Sequence, residues 1–300
     1  MQLKVSHNRL LDLSSPKVMA IVNVTSDSFY TSWGECSDEV LLSNVQLAID
    51  QGADILDIGA CSTRPGSTPV TAEEEWQRLS HALQLIRSCF PKAIVSVDTF
   101  RATVAEQALR LGADIINDVC GGNDEEIWKV IARHNVADII NDVYGGNADE
   151  NMWEVIAKHN VPYVLTYAQE VQSNGEVKDY DYTMSHVLDY FQSRLDALHR
   201  MGVADVVVDP GFGFGKTVEQ NYRILDQLDI LSVLHALILV GISRKSMLYK
   251  PLYATPEEVL PATVAGGMLA LERGAHILRV HDVEAAKQAI TVYTLAHKIK

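Results

Sequence analysis

Asp209-Pro-Gly-Phe-Gly-Phe-Gly-Lys-Thr217 places a carboxylate, three glycines and a lysine between an apolar run and a helical pattern. Such glycines let a backbone turn sharply and approach a ligand closely. The phosphate-loop pattern G-x-x-x-x-G-K-[ST] fails here, because Pro210 stands where the first glycine should be. Asp209 ends the apolar run, and a carboxylate so placed wants a partner. Ser243-Arg-Lys-Ser246 also follows an apolar run and is expected to open a helix. Cations and hydroxyls beside free helix N–H groups suit an anion. Arg279-Val-His281 alternates, so both polar side chains share one face of a strand. Cys61-Ser-Thr-Arg-Pro-Gly66 offers hydroxyls and a guanidinium. Asn23-Val-Thr-Ser-Asp-Ser-Phe29 offers Asn23, a neutral oxygen adequate for Mg²⁺ when a phosphate and waters complete the shell. No H-x-H or H-E-x-x-H zinc spacing and no G-x-S-x-G nucleophile elbow occurs. Each segment alone also fits a turn, a solvated charge pair or a core histidine. Their joint placement is what counts.

The elements that must position them are strands and helices in alternation. Candidate strands are 18–24, 54–59, 93–98, 114–119, 162–167, 205–210, 237–242 and 276–281, apolar on nearly every residue, as parallel strands buried on both faces are. Thr71-Ala-Glu-Glu74 and Thr255-Pro-Glu-Glu258 fit the capping-box pattern at helix starts. Helices are expected to stop at Gly52, Gly112 and Gly274, each followed at once by a strand, with Gly202 close to a fourth such joint. Polar residues end almost every strand: Asn23, Asp57, Asp98, Asn117, Asp209, Arg244 with Lys245, and Arg279 with His281. In an eight-stranded α/β barrel those ends converge on one face, where active sites form. A Rossmann sheet would carry G-x-G-x-x-G after its first strand, and none is present. The expectation is a TIM-type (β/α)8 barrel forming one domain over 1–300.

One segment breaks the pattern. Residues 113–136 are followed at once by a near copy, 137–161, matching at 19 of 24 positions with one gap at Ala148. This tandem βα unit yields nine candidate strands. A ninth would change the barrel radius, because strand number and shear are linked. Extrusion of one copy is therefore expected. Gly112 leads into the first copy while no glycine precedes the second, which favours keeping Asn117 inside and leaving Asn141 redundant.

The chain has 300 residues, is 47% hydrophobic and carries a net charge of −14. Nucleic-acid binding is not expected, because basic residues are scattered and outnumbered. The most apolar stretch, 231–243, is too short to span a bilayer, and the N-terminus shows no signal-peptide core. Cys36, Cys61, Cys89 and Cys120 show no C-x-x-C spacing and read as reduced thiols of a cytoplasmic protein.

Together the motifs resemble a known family. VMAIVNVTSDSFY, GADILDIGACSTRPGS, VSVDTF, GADIINDVCGG, DPGFGFGKT, VGISRKSM and GAHILRVHDV stand in the order and approximate spacing of the pterin-binding dihydropteroate synthases, over nearly the whole chain. The resemblance implies a homodimeric eight-stranded barrel. Its reaction would join (7,8-dihydropterin-6-yl)methyl diphosphate to 4-aminobenzoate, giving dihydropteroate and pyrophosphate. It places Asp98, Asn117, Asp209 and Lys245 around the pterin, and Asn23, Thr63, Arg279 and His281 on the diphosphate, with Mg²⁺ on Asn23. It gives Arg64, Phe29 and Ser246 a part in the aminobenzoate site. Asp98, Lys245, Arg279 and His281 would be catalytic. Four features depart from the family pattern: Ser26 for a proline, Ala60-Cys61 for Gly-Glu, Leu165-Thr-Tyr167 for Met-His, and the duplication. The competing readings are a catalytically impaired pterin-binding paralogue and a methyltetrahydrofolate-dependent methyltransferase on the same barrel. Ser243-Arg-Lys-Ser246 and the absence of a cobalamin-binding domain speak against the second.

Overall fold

The apolar runs fold as parallel strands within two residues of their expected ends. The computed structural model describes residues 2–5, 9–24, 38–60, 71–99, 101–117, 140–142, 163–167, 183–200 and 206–298. A hairpin of β1 (Gln2–Val5) and β2 (Arg9–Asp12) comes first. Then follow β3 (Lys17–Asn23), α1 (Asp38–Asp50), β4 (Ile55–Gly59), α2 (Ala72–Cys89), β5 (Val95–Asp98), α3 (Ala102–Arg110), β6 (Ile115–Asn117) and β7 (Ile140–Asp142). The chain continues with β8 (Tyr163–Thr166), α4 (Thr183–Arg200), β9 (Val206–Asp209), α5 (Val218–Asp226), a 3₁₀ segment (Leu228–Leu234) and β10 (Leu237–Val240). It ends with α6 (Ser246–Tyr249), α7 (Leu260–Glu272), β11 (Ile277–Val280) and α8 (Val283–Lys298).

One sheet runs β6-β5-β4-β3-β11-β10-β9-β8-β7, and its paired neighbours are parallel. It curls until β6 and β7 approach within 8 Å. Alternate residues divide two cores, as the two-residue period of a strand requires. Val18, Ala20, Leu56, Ile58, Val95, Val97, Val208 and Leu278 meet the helices. Met19, Ile55, Ile115, Val164, Val207, Leu237, Leu239 and Ile277 fill a second cluster, which Leu11 and Leu13 from the hairpin end join. At about 25 cal/mol per Å² of apolar area removed from water, these two cores are the main stabilising term.

Three expectations need correction. The structure has nine strands in the sheet where eight were expected, because each copy of the duplicated unit contributes one. The first copy supplies β6, paired with β5; the second supplies β7, paired with β8. Extrusion of a copy therefore does not hold for the strands; the rest of both copies lies outside the described residues. The physical reason is sequence identity: both copies carry ADIINDV, so either can dock on an open strand edge. Second, Thr255-Pro-Glu-Glu258 closes a turn instead of starting a helix. Glu258 accepts the Thr255 N–H at 2.8 Å, and α7 begins only at Leu260. Third, the helix after Ser243-Arg-Lys is a single turn, too short for a helix dipole to matter.

Other signals hold. Thr71 and Glu74 make both bonds of a capping box, and an unforeseen second box joins Thr217 and Gln220. Gly52, Gly112 and Gly274 have φ of 91°, 94° and 93°, as the helix-stopping joints need. Gly202, Cys36, Cys61 and Cys120 lie outside the described residues, while Cys89 is a free, exposed thiol. Among the described residues no helix is long and apolar enough to cross a membrane.

Candidate functional site

Register carries the polar residues to one end of the strands. Asn23, Gly59, Asp98 and Asn117 lie in one row across β3 to β6, paired neighbour to neighbour. Two residues deeper along the strands, on the same face, stand Ile21, Asp57, Ser96 and Ile115. Gly59 leaves the floor between the polar ends open: a Cβ there would stand 3.5 Å from Asn23 Oδ1 and 3.7 Å from Asp98 Oδ2. Arg279 reaches across from β11. Its Nε and Nη2 donate to Asp57 Oδ2 at 3.0 and 2.7 Å, and Nη2 donates to Asp98 Oδ2 at 3.3 Å. Those two carboxylates hold the Arg279 guanidinium above its already high pKa, against the opposing effect of burial.

His281 is fixed by Ser243. The Ser243 hydroxyl accepts the His281 backbone N–H at 3.2 Å and stands 2.9 Å from Nδ1. A hydroxyl that already accepts can donate its own proton to Nδ1, which favours the ring proton on Nε2. Arg244 turns the other way. It pairs with both oxygens of Asp282 and donates to the carbonyls of Pro256 and Glu257 at 3.3 and 3.4 Å. Of the two cations in Ser243-Arg-Lys-Ser246, only Lys245 faces the site. The anion site expected there is corrected to that extent.

The Asp209 loop closes the opposite wall. Asp209 pairs with Thr166 in the β8–β9 ladder, and both are buried. Its Oδ1 accepts the Gly211 N–H at 2.8 Å. Lys216 Nζ donates to the carbonyls of Tyr167, Gly211 and Phe214 at 2.8, 2.7 and 3.1 Å, and sits 4.6 Å from the Tyr167 ring centre. Three ammonium protons meet three acceptors, so the loop is pinned to the end of β8. Lys245 Nζ donates to the Phe212 carbonyl and lies 4.6 Å from the Phe214 ring centre. Burial lowers the Lys245 pKa to about 8, with Asp209 opposing that shift and Arg279 adding to it. Burial raises Asp209 while Lys245, the Gly211 N–H, Lys216 and Arg279 pull it down. Burial also lowers Lys216, against Asp209.

Gly211 makes this packing possible. Its φ is +63°, and a Cβ would fall 2.1 Å from the Tyr167 carbonyl oxygen. Gly211→Ala must move the backbone of either the loop or β8. It is expected to cost about 3 kcal/mol or more, read as a lower urea midpoint at unchanged slope. An unchanged midpoint would show that the loop is not packed this tightly.

The pterin-binding enzyme family matches residues 19–137 and, in a second match, residues 134–281. The chain belongs to that family. The break between the matches falls where the two copies meet. Dihydropteroate synthase of Escherichia coli strain K12 is 34% identical over 285 residues, 94% of this chain and 92% of that protein. The crystal structure of the Yersinia pestis dihydropteroate synthase with a sulfonamide drug complex superposes with a TM-score of 0.80 at 31% identity, covering 100% of both chains. The Xanthomonas albilineans enzyme in complex with 7,8-dihydropteroate gives 0.75 at 30% identity, covering 99% of each. These likenesses span the whole chain.

Of the residues expected to line the pterin-binding site, the structure gathers Asn23, Asp98, Asp209, Lys245, Arg279 and His281 at one end of the strands. Asn117 shares their row through its backbone pairing with Asp98. Asn141 pairs with Val164, two residues short of Thr166, the partner of Asp209. Ser246 opens the one-turn α6 beside Lys245. Phe29, Thr63 and Arg64 lie outside the described residues. Asp57, Ser243 and Lys216 are site components whose individual roles the sequence left unassigned: Asp57 was one of the polar strand ends, Ser243 a hydroxyl of the expected anion site and Lys216 part of the glycine-rich loop. Asp57 carried a signal, a carboxylate in the otherwise apolar Ile55–Gly59. Tyr167, one of the departures from the family pattern, is accommodated: its ring covers Lys216 and meets Tyr190 edge-on at 5.1 Å.

Proposed function

We propose that this chain performs the dihydropteroate synthase reaction, condensing (7,8-dihydropterin-6-yl)methyl diphosphate with 4-aminobenzoate. The observation that carries the reading is the cluster at the strand ends, where Asp57, Asp98 and Asp209 meet Lys216, Lys245 and Arg279. Carboxylate and ammonium groups there match the alternating donors and acceptors of a pterin edge. Asp98, Asn117, Asp209 and Lys245 bind that ring. Arg279, His281 and Thr63 hold the diphosphate, and Phe29, Arg64 and Ser246 serve the aminobenzoate site.

The bond between the pterin methylene and the diphosphate oxygen breaks, and the aromatic amine nitrogen bonds to that carbon and loses a proton. Charge then builds on the leaving oxygen, facing Arg279 and the His281 ring. Asp98 faces positive charge developing on the pterin. An aromatic amine is neutral at pH 7 and already nucleophilic, so no strong base is required. Ser243 orients His281, and Lys216 keeps the Asp209 loop in place.

Asn23 suits a Mg²⁺ ion that arrives with the diphosphate. Its amide oxygen stands over the open space at Gly59, and among the described residues no three His, Cys, Asp or Glu gather to hold a metal. A bound Mg²⁺ supplies charge neutralisation for the diphosphate oxygens. One neutral protein oxygen is a poor site alone. Mg²⁺ titrated without phosphate should therefore bind in the millimolar range or weaker, and pyrophosphate should tighten it about tenfold or more. Micromolar binding of Mg²⁺ alone would contradict this.

The chain acts as one barrel-type domain over 1–300, with each copy of the duplicated βα unit supplying one strand of the nine-stranded sheet. A homodimer is supported by the exposed Leu269, Val292 and Leu295 on α7 and α8. A cytoplasmic setting accords with the absence of a spanning helix among the described residues. The relatives reported above are synthases, which favours turnover over an impaired paralogue and over methyl transfer. Incubation with both substrates and chromatography of the products tests the reading: dihydropteroate should form. Pterin binding without product would leave only the impaired paralogue.

A further inference from the structure

Arg279 is held from beneath by a carboxylate to which the reaction above gives no part. The Asp57 side chain is 0% exposed, while that of Asp98 is 18% exposed. Arg279 Nη2 lies nearer Asp57, at 2.7 Å, than Asp98, at 3.3 Å, and Nε also points to Asp57. Two N–H groups on one buried oxygen fix both the plane and the reach of a long, otherwise mobile side chain. We propose that Asp57 is the positioning residue for Arg279, setting the guanidinium for the diphosphate. This rests on the reading of Arg279 as the diphosphate-holding cation.

Asp57 offsets the charge of Arg279, so it adds nothing to attraction for an anion. What it adds is placement. A charged group misplaced by about 1 Å can cost about a hundredfold in rate. Asp57→Asn keeps the shape and loses the charge. It should leave pyrophosphate affinity within about threefold while kcat falls about tenfold or more. Arg279→Met should lower kcat about a hundredfold and weaken pyrophosphate.

The decisive readout is the double-mutant cycle on kcat. If Asp57 acts through Arg279, adding Asp57→Asn to Arg279→Met should cost less than about threefold more. Additive losses would overturn the proposal, as would Asp57→Asn lowering affinity and kcat together with the melting temperature, the mark of a structural role alone. If Asp57→Asn does not fold, Asp57→Glu, which keeps the charge but shifts it by one methylene, runs through the same cycle. Should Arg279→Met leave both kcat and pyrophosphate affinity unchanged, the diphosphate reading of Arg279 fails, and this proposal with it. That outcome is distinct from a normal Arg279 effect with no Asp57 effect, which overturns the positioning role alone.

Discussion

Lys245→Ala is expected to weaken pterin binding by about a hundredfold or more, measured calorimetrically on folded protein, and Asp209→Ala by a similar factor. The two sit in one buried wall, with Lys245 on the Phe212 carbonyl and Asp209 on the Gly211 N–H. Removing either one takes away a charged hydrogen-bonding partner in the buried wall that faces the pterin, a loss of about 3 kcal/mol or more of binding. A pH dependence follows from the same burial. Lys245 has a pKa of about 8 in the fold against 10.5 ordinarily. Between those values the unfolded chain holds a proton that the folded one has lost, so this group makes stability rise with pH there. Pterin affinity should run the opposite way and fall as pH rises through about 8, because a ring oxygen or nitrogen needs the ammonium as donor. Unchanged affinity in either mutant would remove these residues from the site.

The second large effect concerns the duplication. β6 offers Ile115, Ile116 and Asn117 to β5, while β7 offers Ile140, Asn141 and Asp142 to β8. In the repeat, 140–142 correspond to 116–118. One copy of the strand therefore carries the residues for both edges. Deleting residues 137–160 joins Val136 to Val161 and removes the spare strand. The remaining copy should pair on both sides, closing an eight-stranded barrel without unpaired edges. Activity and melting temperature should match or exceed those of the full chain. Within the full chain, Asn117→Ala should lower pterin affinity about tenfold to a hundredfold, whereas Asn141→Ala should change little. The reverse pattern would show that the second copy faces the pterin.

Much of this was legible in the sequence, for identifiable reasons. Strands buried on both faces announce themselves as apolar runs, and a glycine such as Gly112 marks where a helix must stop. The polar ends Asn23, Asp98, Asp209 and Arg279 followed from strand direction. The β1–β2 hairpin went unread because each run is only four residues long, and although Gln2-Leu3-Lys4-Val5 alternates, Arg9-Leu10-Leu11-Asp12 does not and no Gly-rich turn joins them. Thr255-Pro-Glu-Glu258 misled because the same side-chain bond that starts a helix also closes a turn. The role of Asp57 was hidden by distance, since its partner Arg279 lies 222 residues away. The placement of the two copies was illegible for a stronger reason. Both read ADIINDV, and Gly112 before the first copy marks a helix stop without saying which strand edge, that of β5 or of β8, each copy takes.

The strand-end cluster is held to transfer the (7,8-dihydropterin-6-yl)methyl unit from diphosphate oxygen to the nitrogen of an aromatic amine. Pyrophosphate release by the full chain, followed continuously with the pterin diphosphate, Mg²⁺ and 4-aminobenzoate, tests it most directly. Release should depend on all three, match dihydropteroate one for one, and fall to background in Lys245→Ala. Release independent of 4-aminobenzoate, or turnover persisting in Lys245→Ala, would contradict it.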